Sequence, residues 1–257
     1  MTSIIDTHAH LDFDIFAPDL NEVIARARQT NVEAVINVGA SLGGSQKSIE
    51  LAQKYDFVYA AVGIHPEGME SFSLPILESL ARSPKVVAIG EIGLDYHYTD
   101  SFSQKRFPAS KQQDMFNRQL ELAEKLDLPV IIHSREAFDD TLTILNKHHV
   151  RAVFHCWTYT LTEALRAIEA GYFLSFTAIV TYPNAGSIQE VAKIMPLDKF
   201  WFDTDSPLLA PQAYRGQRNE PSYVWEIAGK IAELRAMDTS ALAETTTENA
   251  RRFFNLT

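Results

Sequence analysis

The sequence predicts a (β/α)8 barrel, an α/β fold of the TIM type, filling a single domain over residues 1–257. Three features carry that expectation. Short, almost unbroken apolar runs recur along the chain, a stretch of helical periodicity follows each, and polar residues collect where the apolar runs stop. Unbroken apolarity means that both faces of a strand are buried, as in a parallel sheet covered by helices.

Taken in order, strand-like runs fall at 4–7, 34–38, 58–62, 86–89, 129–132, 152–154, 172–176 and 200–202. Amphipathic stretches follow them at 20–29, 45–55, 76–82, 110–126, 137–147, 161–170 and 188–195, with two more at 223–235 and 240–254. Each pairing is a βαβ unit, and eight in one chain of this length point to closure into a barrel. A doubly wound open sheet is the alternative with the same alternation. Two longer interruptions, 95–108 and 207–221, leave the C-terminal ends of strands 4 and 8, the barrel face that hosts chemistry.

Composition narrows the class. Apolar residues make up 46% of the chain and charged residues 22%, enough for a sizeable core and against disorder. The net charge of -10 argues against broad, sequence-independent clamping of duplex nucleic acid, while leaving room for a local basic mouth or a metal. A single cysteine, Cys156, excludes an intramolecular disulfide. No signal peptide and no membrane-length apolar run is visible. A soluble, cytoplasmic protein is expected, with no membrane association and no obligate protein partner.

The strand ends carry the chemistry. Residues Ile4-Ile5-Asp6-Thr7-His8-Ala9-His10 open a strand and then place two histidines two positions apart, on one strand face. Strand 3 stops at His65, strand 4 at Glu91, strand 5 at His133 and Arg135, strand 6 at His155, and strand 8 at Asp203 and Asp205. A lone histidine is usually a core residue satisfied by backbone. Here five of eight gather at strand ends, the trace expected of a site. Four imidazoles and two carboxylates suit a two-metal hydrolytic centre, in which cations about 3.5–4 Å apart activate water and hold the attacked group. In this reading Glu91 bridges the metals, His8 and His10 complete one, and His133 and His155 the other. Asp205 touches the first metal and takes a proton from the attacking water. Asp203, one layer deeper, supports the site. Imidazole-rich ligation favours Zn, Mn, Co or Fe, though an open site also admits Mg.

These residues lie in motifs that resemble the TatD family of metal-dependent deoxyribonucleases. They are Asp-Thr-His-Ala-His-Leu-Asp (6–12), Gly-Ile-His-Pro (63–66), Gly-Glu-Ile-Gly-Leu-Asp-Tyr (90–96) and Pro-Val-Ile-Ile-His-Ser-Arg (129–135). Further along come Phe-His-Cys-Trp (154–157), Asp-Thr-Asp-Ser-Pro (203–207), Tyr-Arg-Gly-Gln-Arg-Asn-Glu-Pro (214–221) and Thr-Thr-Glu-Asn (246–249). His-x-His alone marks the wider amidohydrolase-like superfamily; the Glu-Ile-Gly-Leu-Asp and Arg-Asn-Glu-Pro runs are far more specific. The resemblance implies a metal-dependent deoxyribonuclease, a 3′-5′ exonuclease on single-stranded DNA that uses a metal-activated water at a binuclear site. It implies two divalent ions (Mg, Mn or Zn), with His8, His10, Glu91, His133, His155 and Asp205 as ligands and Asp205 and Glu91 as catalytic residues. Three positions depart from the family pattern. Asp203 replaces the commoner Glu, Cys156-Trp157-Thr158-Tyr159-Thr160 replaces a glycine-containing turn, and Glu67 stands where a histidine often follows the Gly-Ile-His-Pro run. The metal site survives all three changes, and substrate preference is what they touch.

Around the metals, His65 and Arg135 are expected to bind phosphate, the guanidinium as a planar fork. Arg215 and Arg218 either line the entrance or lie on a solvated loop, and Tyr96, Trp157 and Tyr159 either offer surfaces for base stacking or serve as plain packing at the rim. Cys156 is expected to point outward into the helix layer as a small buried hydrophobe, and His148 and His149 to lie on the surface. A second reading keeps the site but changes the bond to an ester, amide, lactone or phosphoester of a small molecule. A third is a non-enzymatic metal-binding module, against which Asp205 speaks as an intact acid/base group.

Overall fold

Each of the eight apolar runs forms a strand, and the strands pair in parallel in sequence order. The structure, a computed structural model, describes residues 2–69, 72–97 and 107–256; most of the long loop expected after strand 4 lies outside them. The strands are β1 (Ile4–Ala9), β2 (Val32–Val38), β3 (Val58–Val62), β4 (Val86–Asp95), β5 (Val130–Arg135), β6 (Ala152–Phe154), β7 (Phe173–Phe176) and β8 (Phe200–Phe202). The helices are α1 (Leu20–Gln29), α2 (Leu42–Lys54), α3 (Leu74–Ala81), α4 (Ala109–Leu126), α5 (Phe138–Leu145), α6 (Leu161–Glu169), α7 (Gly186–Ile194), α8 (Val224–Arg235) and α9 (Thr239–Phe254). The open doubly wound sheet is excluded, because its strand order would not run consecutively from β1 to β8.

Closure between β1 and β8 is made less by a ladder than by the segments that follow. Ala9 bridges Ser206, the His10 N–H donates to the Ser206 carbonyl at 2.7 Å, and the Asp205 N–H to the His8 carbonyl at 2.9 Å. Buried Asp6 reinforces the seam by accepting from the Thr204 N–H at 2.9 Å and the Thr204 hydroxyl at 2.6 Å. The strands that carry His8, His10 and Asp205 are thereby locked side by side.

Two apolar layers result. The larger lies between barrel and helices, where Val35, Val58, Ile132 and Phe202 meet helix residues such as Val23, Ile49, Phe116 and Ile227. The smaller fills the barrel: Ile5, Ile36, Ala61, Ala88, Ile131, Val153 and Trp201 join Ala250, Phe253 and Phe254 of α9, which plugs the N-terminal end. Burying such aromatic rings makes this floor a main source of stability.

The same alternation that points Ile131, Val153 and Trp201 into the barrel carries His133, His155 and Asp205 onto its C-terminal rim, with Asp203 one layer below. On β1 the phase changes, because Ile5 faces the interior whereas the rim residues are His8 and His10. A register shift between Asp6 and Ala9 supplies that change. On β4 a shift between Ile89 and Ile92 brackets Glu91. Gly93, at φ +144°, is required there, since a Cβ would stand 2.0 Å from the His133 carbonyl oxygen.

Candidate active site

The rim residues converge on Glu91, which is 5% exposed, and its two oxygens face different groups. Oε2 looks toward β1, with His8 Nε2 at 3.5 Å and His10 Nε2 at 3.8 Å. Oε1 looks toward β3, β5 and β6, with His133 Nδ1 at 2.7 Å, His155 Nε2 at 2.9 Å and His65 Nε2 at 3.8 Å. Asp205 Oδ1 joins the first group, 3.5 Å from His10 Nε2 and 3.9 Å from His8 Nε2. Glu91 is not at the end of its strand, as its position at the close of an apolar run suggests. β4 continues to Asp95, and Glu91 reaches the rim because the shift at Ile92 breaks the pairing there.

The donor chemistry calls for cations. His10 Nδ1 lies 2.8 Å from the Val38 carbonyl, which can only accept, so the ring proton sits on Nδ1 and Nε2 presents a lone pair. That lone pair faces two carboxylates and the Nε2 of His8 at 3.1 Å, an array of acceptors reconciled only by positive charge. Among the described residues no Lys or Arg pairs with Glu91, Asp203 or Asp205, so their buried charges have only imidazoles beside them. Two ligand groups are close enough to grip an ion, His8–His10–Glu91 and His65–Glu91–His133. The residues present therefore fit divalent metals.

Electrostatics separates the imidazoles. Burial, aided by His155, lowers the His8 pKa, and burial beside His133 pushes His65 down to about 3. Burial also disfavours protonated His133 and His155, but carboxylates outweigh it. Asp95 and Glu91 raise His133 to about 9, and Glu91 with Asp203 carries His155 well above its usual value. Glu91 is held well below the ordinary carboxylate range: burial opposes this, and His155, His65 and His133 overcome it. Asp205 is likewise lowered against burial, by His10, His155 and His8.

Behind the rim stand two carboxylates. Asp203 is fully buried, accepts from the Ser175 hydroxyl and lies 3.8 Å from His155 Nδ1, the supporting position expected of it. Asp95, which the sequence reading passed over, holds His133 Nε2 at 3.1 Å. It shares a strand face with Glu91 and Gly93, so simple alternation along β4 is the signal that finds it.

The site opens into a cavity of about 520 Å³, within the range of small-ligand sites. His65 and Arg135 both line it, and Arg135 is exposed with no ion pair among the described residues. Other expectations are corrected. Trp157, 2% exposed, packs edge-on against Phe138, Phe154 and Tyr159. The Tyr159 hydroxyl meets the Ser134 hydroxyl at 2.9 Å and accepts from the Ala137 N–H. Neither ring lines the cavity, because the apolar ring faces find more contact inward than at the rim. Tyr96 also stands off the lining, its hydroxyl donating to Asp140. Arg218 is fixed by a bidentate pair with Asp19, and Arg215 lies over the Tyr182 ring; neither borders the cavity. Cys156 does not point into the helix layer. Its left-handed backbone, φ 49°, breaks the strand alternation and turns it into the cavity wall, with Sγ 3.4 Å from the Thr177 hydroxyl. Asp205 adopts the same region at φ 54°, and such conformations concentrate at functional sites. His149 is exposed as expected, while His148 is half-buried between Glu124 and Asn117.

Comparison with known proteins places this geometry. The family model for TatD related DNase matches residues 5–255. The uncharacterized metal-dependent hydrolase YabD of Bacillus subtilis is 41% identical over 98% of this chain and 99% of its own. The 3′-5′ ssDNA/RNA exonuclease TatD of Erwinia tasmaniensis is 35% identical over 98% of this chain and 100% of its own. The crystal structure of YjjV, a TatD homologue from Escherichia coli, superposes with a TM-score of 0.91 at 33% identity, covering 99% of this chain and 98% of that one. With its rim of histidines and carboxylates on a (β/α)8 barrel, the chain belongs to the TatD family of metal-dependent hydrolases.

Proposed function

We propose that this hydrolase is a deoxyribonuclease that removes nucleotides from the 3′ end of single-stranded DNA at a centre for two divalent ions, Mg, Mn or Zn. The observation that carries the reading is the division of Glu91, Oε2 toward His8, His10 and Asp205 and Oε1 toward His133 and His155. One carboxylate facing two imidazole groups is what a bridged pair of ions requires. Such ions supply Lewis acidity, polarising the phosphate and acidifying a water. The named exonuclease among the relatives supports the choice of substrate.

The chain's own residues divide the remaining work. Asp205, held low enough to be ionised at neutral pH, accepts the proton of the attacking water at Oδ1. Arg135, with no ion pair among the described residues, forms two hydrogen bonds to non-bridging phosphate oxygens. His65 is neutral and presents its ring to the same phosphate from the Glu91 Oε1 side. Asp95 fixes the ring of His133 by a hydrogen bond, and Asp203, 3.8 Å from His155 Nδ1, sets a carboxylate behind His155.

A second reading, a small phosphoester in place of DNA, draws on one observation. Among the described residues that line the cavity, Arg135 is the only Lys or Arg, a single cation that suits one phosphate group. The discriminating experiment is hydrolysis of 3′- and 5′-labelled single-stranded DNA by metal-stripped protein. Mg, Mn or Zn is added back, with Glu91→Ala as contamination control. Metal-dependent laddering from the 3′ end that vanishes in the variant is the expected result. Turnover of a generic phosphodiester without any cleavage of DNA sinks the nuclease in favour of the small substrate.

A further inference from the structure

The cavity lining holds two kinds of side chain. Ionisable ones include His65, Glu91, Asp95, His133, Arg135 and His155; large apolar ones are Phe13, Ile179, Leu208 and Leu209. Phe13 and Leu208 remain 38% and 52% exposed, two large apolar side chains left in water at the mouth of a charged site. Scattered exposed hydrophobes need no explanation, but a pair bordering one cavity marks a binding surface. Among the described residues that line it, Phe13 is the only phenyl, phenol or indole ring. It follows β1 in a tight turn, its N–H donating to the His10 carbonyl at 3.1 Å, and its ring lies against the His10 ring with centroids 4.9 Å apart and planes 21° from parallel. The aromatic surface is thus fixed directly beside a residue of the ion-binding group.

A ligand that suits both kinds of side chain is amphiphilic, with an anionic group beside a flat apolar one. A nucleotide has that form. We propose that Phe13 and Leu208 seat the base of the 3′-terminal nucleotide, a specificity-determining contact that rests on the nuclease reading above. The base stacks on the Phe13 ring while its phosphate lies toward Arg135 and Glu91. Aromatic stacking accepts every base, because each has a π face. The side chains of Phe13, Leu208, Leu209 and Ile179 offer no hydrogen bond by which to choose among bases, so the seat selects for the presence of a base and not for its identity. This role is the one the sequence assigns to Trp157 and Tyr159, both of which are engaged inside the fold.

The test is a four-way comparison of kcat/KM. Wild type and Phe13→Ala each act on an oligonucleotide ending in an ordinary 3′ nucleotide and on one ending in an abasic residue. Removing either the ring or the base is expected to raise KM about tenfold, the range of a single stacked base. Removing both is expected to cost no more than removing one, and Phe13→Trp to keep the wild-type KM. Metal affinity, measured by titration, separates binding from support of His10. If Phe13→Ala slows both substrates equally and weakens metal binding, the ring merely props His10 and the seat is refuted. If the wild type cleaves both ends with equal KM, the base finds no seat and the proposal is again wrong. If the wild type cleaves neither oligonucleotide but hydrolyses a small phosphodiester, the nuclease reading fails and the seat fails with it.

Discussion

The two ends of the barrel are made by the same strands and could hardly differ more. On β5 and β6 the floor receives Ile131 and Val153 and, two residues further along, the rim receives His133 and His155; after Trp201 of β8, Asp203 stands just below the rim and Asp205 on it. The floor is closed by rings: Trp201 meets Phe173, Phe253 and Phe254 at centroid distances of 5.3, 4.9 and 5.7 Å. The rim packs ionisable groups against one another with no Lys or Arg beside Glu91, Asp203 or Asp205 among the described residues. Apolar burial stabilises the first, whereas the second is stabilised only when its charges find partners. Chemistry and stability are therefore segregated along the barrel axis, and each can be broken without the other.

The largest expected effect is at the rim. Asp205→Asn keeps the shape of the side chain and removes the proton acceptor, so kcat is expected to fall about 10²–10⁴-fold, the usual span for general acid–base groups. Kcat is read at saturating metal, because Asp205 also belongs to the first ion-binding group and its loss is expected to weaken metal binding there. Full activity in that variant, on whichever phosphodiester the wild type cleaves, would remove Asp205 from the mechanism. At the floor, Trp201→Ala is expected to reverse the pattern. Loss of a buried Trp side chain costs about 3–5 kcal/mol, a fall in Tm on the order of 10 °C for a chain of this size. The low end of that range is expected, because Trp201 Nε1 is buried without a hydrogen-bond partner and its removal relieves that penalty. Below the transition, kcat/KM is expected to match wild type; a matching drop in activity would show that floor and rim are coupled.

A smaller effect sharpens the rim itself. Asp95→Asn weakens the hold on His133 Nε2 while leaving Glu91 in place. Metal affinity is expected to fall about 10–100-fold, as when an outer partner of a ligating histidine is lost. Kcat at saturating metal is expected to recover. No change in metal affinity would make Asp95 a structural residue of β4 alone.

How far the sequence anticipates this arrangement follows the same axis. The barrel is legible because parallel strands buried on both faces leave near-continuous apolar runs, and all eight observed strands overlap the runs that predict them. The rim residues of β5, β6 and β8 are legible because a regular strand alternates. What escapes is whatever depends on departures from regularity or on distant packing. The phase change on β1 rests on a register shift that the residues 4–10 do not announce. The turn of Cys156 into the cavity rests on a left-handed residue that is not glycine. Trp157 is buried against Phe138 and Phe154 whereas Phe13, on which the sequence is silent, stands half in solvent beside His10, because burial is decided by how the chain packs and not by residue type. The capping of the floor by α9 is of the same kind, since an amphipathic helix does not say which end of a barrel it covers.

The subtlest test of the contrast is a dependence on pH. Without metal, His133 in the folded chain has a pKa raised to about 9, against about 6.5 for a free imidazole. A raised histidine pKa means that the folded state binds the proton more tightly than the unfolded state. The stability it adds is fully present below about pH 6.5 and is lost as pH rises through about 9. His155, also raised, acts in the same direction. Metal-stripped protein is thus expected to lose more Tm between pH 6.5 and 9 than metal-loaded protein, whose ligating imidazoles carry no proton on the ligating nitrogen. Buried Asp6, pushed up to about 8 by burial, lowers both curves over the same window and leaves their difference to the histidines. Loading at pH 7 must then expel protons, visible by calorimetry as a binding enthalpy that changes with the ionisation enthalpy of the buffer. Trp201→Ala should lower both curves in parallel without altering their difference, because the floor carries no titrating group in contact with the rim histidines. A binding enthalpy independent of buffer would mean that His133 and His155 are neutral before the metal arrives, and the carboxylates behind them would then serve to orient the rings and not to charge them.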